Sequence, residues 1–346
     1  MLNEEFKKEL SSLSLNEKKE TIKLLSNLLV TNNDTKSLKC PNCGSLKFVK
    51  CGHQNGVQRY KCSCGKTFCS KALSLNYYSK VDLDTWLKFI DYEISGLTLT
   101  EISYYLRLSV TTCFRMRHKL YNACSIYLEN IKLQGQTEID CSYIKINLKG
   151  TKPNKMPRKS KKNGRGSTYS GISHHKVCII VGLDEHDNHF MKVAGLGSES
   201  FEKYSKFTSN FEKSSILISD SKACIHQFAN HLNISDDIIK SIPNDKNYTT
   251  ENGNNIQSLN EFSKCIADII RKYHGVSIRH LDGYLAFQSL KKMIHYRNTR
   301  DNEANAFITN LTNEAKPKLT KEICKSQLPV DLKEAYWEFN YGIFRH

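Results

Sequence analysis

The sequence predicts a mixed α/β domain that follows a short cysteine-rich segment and a small all-α unit. The chain has 346 residues, a length that favours two or three units over a single core. Six of its thirteen cysteines fall between Cys40 and Cys69. Runs typical of strands begin only near Glu138 and are followed by helical patterns. These observations separate a cysteine-rich N-terminal part from a larger α/β part.

The charge of the chain favours a polyanionic partner. The formal net charge is +16, from 51 Lys and Arg against 35 Asp and Glu, and basic proteins gain affinity for phosphates by releasing counterions. No run approaches the roughly 18 apolar residues that span a bilayer, and the first residues lack a signal-peptide pattern. We therefore expect a cytoplasmic, nucleoid-associated protein that binds nucleic acid and has no membrane partner.

Two close pairs of cysteines predict a zinc ribbon over residues 37–73. Two thiolates two residues apart can occupy adjacent corners of a tetrahedral site. The second pair is one residue short of this spacing, so Cys51 and Cys69 remain alternatives to Cys64 as the fourth ligand. Unligated structural thiols are the competing interpretation. The chosen zinc ligands are Cys40, Cys43, Cys62 and Cys64.

The cysteines outside this segment stand singly, which argues against a disulfide framework. Single thiols in a reducing compartment behave as small apolar side chains, so we expect them to be buried. They are Cys113, Cys124, Cys141, Cys178, Cys224, Cys265 and Cys324.

Two helix starts close together predict a helix-turn-helix in residues 80–132. Thr98 or Thr100 can cap the first helix, and Ser109 can cap the second. The second helix carries hydroxyl and basic side chains suited to phosphates and base edges in a major groove. The alternative is an ordinary helical connector with a solvated basic face. Together with the basic face of the ribbon, the candidate DNA contacts are Lys61, Lys66, Thr111, Thr112, Arg115, Arg117 and Lys119.

Two aspartates in strand-like runs are candidate metal ligands. Asp140 lies between Ile139 and Cys141, whose side chains should point to the opposite face of a strand. A carboxylate inside a strand is unusual unless it is exposed or holds a cation that offsets its desolvation. Asp220 ends another strand-like run, at the end where open α/β sheets place their sites. Two such carboxylates can share a divalent ion.

A helix expected from about Ile256 to Tyr273 offers a third element of the site. Four polar residues recur on it at i, i+3, i+4 and i+7, so they share one face. Beside two aspartates, this face suits two-metal phosphoryl transfer with Mg²⁺ or Mn²⁺, in which one ion activates the nucleophile and the other stabilises the leaving oxygen. The four residues are Gln257, Asn260, Glu261 and Lys264.

Several motifs together resemble the DDE-class insertion-sequence transposases that begin with a zinc ribbon and a helix-turn-helix. The resemblance runs from about residue 40 to residue 290 and is carried by CPNC with RYKCSCGKTF, EIDCSYI, SGISHHKVCIIVGLDE, LISDSKA and NGNNIQSLNEFSK with YHGVSIRHLDGYL. It implies a ribonuclease-H-like catalytic domain, here residues 135–292, in which Asp140 and Asp220 bind the catalytic metals. The family's third ligand is Glu or Asn, followed seven residues later by a lysine. In this chain Gln257 and Lys264 stand at those positions, and Asn252 replaces the usual histidine.

The resemblance implies a transposase that binds element ends and target as double-stranded DNA, as a homo-oligomer, and cleaves and joins DNA strands. A glutamine amide is neutral and one methylene longer than an asparagine amide, which weakens the case for metal binding. Two alternatives therefore stand beside this reading. The first is a weakened or inactive DNA-binding protein or regulator derived from a transposase. The second is a general zinc-ribbon nucleic-acid factor whose acidic residues only form salt bridges with basic residues.

A basic loop follows the strand that carries Asp140. From Cys141 to Arg165 there are nine basic residues and no acidic residue, so the segment should contact DNA backbone near the site. A solvated charged surface is the alternative. The chain ends are expected to be helical, within residues 1–36 after a capping box at Ser14 and in a tail of residues 293–346. Candidate DNA contacts in the loop are Lys152, Arg158, Lys159, Lys161, Lys162 and Arg165.

Overall fold

The structure is a computed structural model that describes part of the chain in two compact units. One unit lies within Met1–Asp91 and Ala304–Pro317, and the other lies within Tyr92–Glu303 and Lys318–His346. The helix expected within residues 1–36 falls outside the described residues except for Ser14. The described residues are 14, 38–54, 57–69, 75, 79–152, 156–157, 171–220, 222–239, 249–298, 302–311 and 318–336.

The cysteine-rich segment forms a three-stranded antiparallel sheet. Its strands are β1 (Phe48–Gln54), β2 (Val57–Cys62) and β3 (Thr67–Cys69), in the order β1-β2-β3. Tyr60 and Phe68 are buried and pack with Phe48, whose ring lies edge-on to both. This small aromatic cluster is too limited to stabilise the sheet by itself.

The helices described before the large sheet are α1 (Leu83–Ser95), α2 (Leu99–Leu106) and α3 (Val110–Glu129). Thr98 caps α2 through a capping box with Glu101, in which the Glu101 carboxylate accepts from the Thr98 backbone at 2.7 Å. The Ser109 hydroxyl accepts from the Thr112 backbone at the start of α3. In the structure, α2 and α3 therefore begin after Thr98 and Ser109, two of the capping residues proposed from the sequence.

The larger unit is built on a five-stranded mixed sheet. Its order is β6-β5-β4-β7-β8, in which β4, β5 and β6 pair antiparallel and β7 is parallel to both β4 and β8. The first four strands in sequence are those expected from the strand-like runs, whereas β8 was not anticipated. The strands are β4 (Gln134–Lys145), β5 (Lys176–Asp184), β6 (His189–Leu196), β7 (Lys213–Asp220) and β8 (Ser235–Ile239).

Helices cover both faces of this sheet. The α-helices described after β4 are α4 (Phe201–Ser205), α5 (Thr208–Phe211), α6 (Ala223–Leu232), α7 (Gln257–Lys272), α8 (Ile278–Arg297), α9 (Glu303–Leu311) and α10 (Thr320–Cys324). On one face, Ile139 and Cys141 of β4 join a core with Phe228 of α6. On the other face, α7 packs on β4 and β5 while α8 packs on β6. The mixed sheet and its helices fit the expected ribonuclease-H-like domain.

Two further observations concern the described part of the chain. No described helix has both the length and the apolar character needed to cross a bilayer. All thirteen cysteines are free thiols, and four of the seven scattered ones are buried as expected. Cys324 is exposed, which corrects the expectation for that residue, because it ends the short helix α10 at the surface.

Candidate functional site

The structure brings four cysteines together in the small sheet. The ligand atoms of the group lie within 4.8 Å of one another, and the Sγ atoms of Cys40 and Cys64 are 3.7 Å apart. Neither Cys51 nor Cys69 belongs to this group. Four thiol sulfurs at this spacing suit a tetrahedral zinc ion. The group consists of Cys40, Cys43, Cys62 and Cys64.

The backbone explains why the shorter second cysteine motif still reaches the group. The carbonyl of Cys40 accepts from the N–H of Gly44, whereas the carbonyl of Cys62 accepts from the N–H of Gly65, one residue sooner. Gly44 and Gly65 both have a positive φ, 71° and 83°, which glycine adopts without strain. The two turns are therefore alike, with one residue removed from the second.

The backbone also favours the thiolate form that binds metal. The N–H of Cys64 lowers the pKa of Cys62 to about 6, and the N–H of Lys66 lowers the pKa of Cys64. Because zinc binds thiolates and not thiols, these N–H groups prepare two of the four ligands.

The predicted DNA contacts fall into three groups. On the ribbon and on α3, Lys61, Lys66, Thr111 and Arg115 are exposed, and Thr112 is half-buried beside Ser109. In the basic loop Lys152 is exposed. The remaining loop candidates lie outside the described residues: Arg158, Lys159, Lys161, Lys162 and Arg165.

Arg117 and Lys119 correct the prediction for α3, because both are buried. The guanidinium of Arg117 is 2.7 Å from the carboxylate of Glu93, which also accepts from the hydroxyl of Tyr121 at 2.9 Å. The same guanidinium lies over the ring of Tyr273. Burial lowers the pKa of Lys119 to about 8. Arg117 therefore belongs to a buried polar cluster of helices α1 and α3, and neither residue faces DNA in this structure.

Strand register places the two candidate aspartates side by side. In the parallel pair of β4 and β7, Glu138 lies opposite Ile218. Asp140 and Asp220 each stand two residues further along, so their side chains emerge from the same face at neighbouring positions. The sequence neighbours of Asp140, Ile139 and Cys141, belong to the core on the opposite face. The alternation expected from the sequence is the reason that both carboxylates can meet.

The two aspartates meet around the ammonium of Lys222, together with a third carboxylate from Glu199. The Nζ atom of Lys222 is 3.0 Å from Asp140 Oδ1, 2.9 Å from Glu199 Oε1 and 2.9 Å from Asp220 Oδ2. Lys222 is the N-cap residue of α6 and follows β7 closely in sequence, and its side chain extends to the aspartates. Sequence reasoning missed both Lys222 and Glu199. Lys222 lies in the LISDSKA motif, in which only Asp220 was assigned a role, and Glu199 lies in a polar turn.

Glu199 is held by two tyrosines as well as by Lys222. Its Oε2 accepts from the hydroxyl of Tyr204 at 2.6 Å, and its Oε1 accepts from the hydroxyl of Tyr143 at 3.1 Å. The backbone N–H of Glu199 donates back to Tyr143. Only 9% of the Glu199 side chain is exposed, compared with 40% for Asp220. Glu199 is thus the fixed member of the three carboxylates.

Burial and mutual charge shift the protonation of this group. Burial raises the pKa of Asp220, and the charges of Asp140 and Glu199 act in the same direction. Burial disfavours the charged form of Lys222 and acts to lower its pKa. The three carboxylates have the larger effect and raise the pKa of Lys222 above its usual value. Against the effect of burial, hydrogen bonds led by that of Tyr204 hold the pKa of Glu199 below its usual value. With three carboxylates around one ammonium, negatively charged groups outnumber positive ones at this site.

Helix α7 begins beside this group but does not contact it through Gln257. The N-cap residue Ile256 has no side-chain acceptor, and Glu138 of β4 accepts instead from the backbone N–H of Leu259 at 2.9 Å. Since Glu138 and Asp140 share a face of β4, the start of α7 lies on the aspartate side of the sheet. Gln257 and Lys264 are exposed. No hydrogen bond joins either side chain to the aspartates within the described residues.

A divalent cation fits the carboxylate group on two observations. Asp220 Oδ1 is buried, and no donor in the described part of the chain reaches it, so one carboxylate oxygen lacks a partner. Oxygens of Asp140 and Asp220 already converge on one cation, and such oxygens are the ligands that Mg²⁺ prefers. Among the described residues only the four cysteines form a three-membered or larger His, Cys, Asp or Glu group within 4.8 Å. Asp140, Glu199 and Asp220 do not form such a three-membered group, so the fit of a divalent cation rests on the two aspartates.

Comparisons with known proteins find similarity to transposases in the part of the chain that contains this site. Residues 132–291 match the family described as the ISXO2-like transposase domain. This span contains Lys222 and the three carboxylates around its ammonium. The chain is 26% identical over 148 residues to an uncharacterized protein in transposable element ISH50 of Halobacterium salinarum. That alignment covers 42% of this chain and 50% of the relative, so the chain spans about half the length of that protein.

A solved structure, titled as the crystal structure of a pre-cleavage Mos1 transpososome, also shows some similarity. The likeness covers 64% of this chain and 78% of that chain at 9% identity, with a TM-score of 0.17. A score this low carries no argument about this protein. Function is instead inferred from the match to the transposase family and from the arrangement of Asp140, Glu199 and Asp220 around Lys222.

Proposed function

We propose that this chain, whose residues 132–291 match the ISXO2-like transposase domain, is a DDE-class insertion-sequence transposase that binds element ends and catalyses metal-dependent DNA cleavage and strand transfer. The observation that carries the proposal is the strand register that sets Asp140 beside Asp220 around a single cation. The family match supports a transposase. The chemistry is inferred from the two carboxylates.

Asp140 and Asp220 would hold divalent ions, Mg²⁺ or Mn²⁺, against the DNA backbone. Bound metal of this kind activates a water or a 3′-hydroxyl and stabilises the leaving oxygen of the phosphodiester. The chain's own contribution is to fix the two carboxylates on adjacent strands, with one Asp220 oxygen that receives no hydrogen bond from the described residues. Because β4 and β7 are inner strands of the sheet, they hold these ligands rigidly during the reaction.

Gln257 and Lys264 would complete the site from helix α7. The docking of the α7 start on Glu138, two residues from Asp140, supports this assignment. A small approach of α7 on DNA binding would bring the Gln257 amide oxygen to the metal and the Lys264 ammonium to a phosphate. Because the amide is neutral, metal affinity would be lower than with a glutamate at this position.

DNA would be bound by three basic surfaces. The helices α2 and α3 are joined by a turn of three residues, Arg107 to Ser109, a length that supports the helix-turn-helix proposed for residues 80–132. On α3 the exposed Thr111 and Arg115 are its candidate contacts. The ribbon offers exposed Lys61 and Lys66, and the loop after β4 supplies further basic residues. Assembly on two element ends would require a homo-oligomer.

A DNA-binding regulator without catalysis is the second candidate. The observation that favours it is the neutral Gln257, exposed and without contact to the aspartates in the described residues. In this case the zinc ribbon and α3 would still bind element ends. The two candidates differ in chemistry and not in binding, so an assay of cleavage separates them.

The function is tested with DNA that carries the terminal sequences flanking the reading frame. We expect specific binding of these ends and Mg²⁺-dependent release of a 3′-hydroxyl, which is then joined to a target duplex. The measurement is product formation on labelled DNA with Mg²⁺, Mn²⁺ or chelator. Binding without cleavage, even in a Gln257→Glu variant, would overturn the catalytic proposal and leave the regulator.

Structural zinc is expected at the four-cysteine group. Replacing Cys64 by serine should reduce the zinc content from about one ion per chain to a small fraction and unfold the ribbon, because metal binding supplies its folding free energy. Cys69→Ser is the matched control and should retain the metal. Zinc content is measured on purified protein by elemental analysis. Equal loss in both variants would reject Cys64 as the fourth ligand.

A further inference from the structure

The ammonium of Lys222 stands between the two aspartates that the proposed function assigns to metal binding. Its Nζ atom is within hydrogen-bond distance of Asp140 and Asp220 at the same time. A divalent ion bound by the same two oxygens would lie within a few ångströms of this ammonium, and like charges at that distance repel strongly. The ammonium and the metal therefore compete for the two aspartates.

Glu199 offers the ammonium a second place close by. Its carboxylate already contacts Lys222 at 2.9 Å, while the Tyr143 and Tyr204 hydroxyls fix it from other directions. A carboxylate that is buried and held in this way keeps its position when Lys222 moves. Lys222 can therefore leave the aspartates and remain paired with Glu199, without exposing an unpaired buried charge.

We propose that Lys222 is a positioning residue that holds Asp140 and Asp220 together until a divalent ion displaces its ammonium onto Glu199. The inference rests on the proposed function, because it concerns the same two aspartates. Without Lys222, the two adjacent carboxylates would repel each other, and a bound divalent ion would relieve that repulsion. With Lys222 the pair stays assembled, and the metal must overcome its hydrogen bonds to bind.

The proposal predicts that removing the ammonium strengthens metal binding. In the full-length, zinc-loaded protein, Lys222→Gln should bind Mn²⁺ about tenfold more tightly than the parent, since hydrogen bonds to charged groups no longer compete. Lys222→Arg should retain the parent's affinity. Mn²⁺ dissociation constants are measured by isothermal titration and checked by electron paramagnetic resonance. Lys213→Gln, an exposed lysine at the other end of β7, is the control for net charge.

The second prediction is that Glu199 acts through Lys222. Glu199→Gln should weaken Mn²⁺ binding several-fold, because the displaced ammonium loses its place and stays on the aspartates. In the Lys222→Gln background the same change should have little effect, within about twofold. The exposed Glu202→Gln on α4 is the matched control. A merely structural role of Glu199 would weaken binding equally in both backgrounds.

The outcomes separate this inference from the proposed function. If Lys222→Gln binds Mn²⁺ no better than the parent, or if Glu199→Gln weakens binding equally without Lys222, the inference is overturned while the metal site stands. If the parent and Asp140→Asn bind Mn²⁺ alike, the metal site itself is wrong and both proposals fall. Circular dichroism checks folding. Should Lys222→Gln fail to fold, Glu199→Gln in the parent background decides, and an unchanged affinity there rejects the proposal.

Discussion

Replacing either Asp140 or Asp220 by asparagine is expected to lower the rate of DNA cleavage by roughly 10³-fold or more. Each change keeps the size of the side chain but removes the charge that binds the metal. Bound metal contributes several kcal/mol to stabilising a phosphoryl transition state, and each ~1.4 kcal/mol corresponds to a factor of ten in rate. The loss should be similar for the two residues, because strand register makes them a pair.

The measurement is the initial rate of end cleavage on labelled DNA, with DNA affinity determined in parallel by fluorescence anisotropy. Binding should survive in both variants, since removing a negative charge does not weaken attraction to phosphate. Asp268→Asn on the exposed face of α7 is a control of the same chemistry outside the site. Parent-like cleavage in either aspartate variant would show that the assignment is wrong. Loss of binding together with cleavage would point to a folding defect instead.

Local patterns in the sequence were sufficient for the elements that define the site. The spacing of the cysteines predicted the ribbon, and the placing of Asp140 among apolar strand residues predicted a carboxylate on one face of β4. Thr98 and Ser109 marked helix starts through the capping side chains that the structure contains. In each case the interaction that decides the structure joins residues close in sequence, or follows from the alternation of a strand.

Contacts between distant residues explain what local patterns could not predict. Glu199 joins the aspartates only because the chain after β6 passes the end of β4, where Tyr143 and Tyr204 receive it. Strand β8 contains Asp237, a residue type that strands disfavour. Its buried carboxylate accepts from Thr250 at 2.7 Å and from Asn254 at 2.8 Å. Neither partner is close enough in sequence for a pattern to show the pairing.

Arg117 shows most clearly that a contact between residues distant in sequence cannot be predicted from a local pattern. A basic residue on the presumed recognition helix suggested DNA contact, but its partner Glu93 on α1 is fully buried. The Glu93 carboxylate is satisfied by Arg117 and by the hydroxyl of Tyr121, which is itself bonded to Tyr273. Arg117→Met should therefore lower the free energy of unfolding by about 3–5 kcal/mol, because it leaves a buried carboxylate without its cation.

Urea unfolding followed by circular dichroism measures this change, and the exposed ion pair of Arg271 with Asp268 supplies the control. Arg271→Met breaks a pair of the same chemistry in solvent, where such pairs contribute about 0–1 kcal/mol. Arg117→Met and Glu93→Gln should both destabilise strongly, since each leaves the other partner buried and unpaired. A double replacement, Arg117→Met with Glu93→Leu, should recover part of the loss. Were Arg117 a DNA contact instead, Arg117→Met would reduce DNA affinity and its salt dependence while leaving the unfolding curve unchanged.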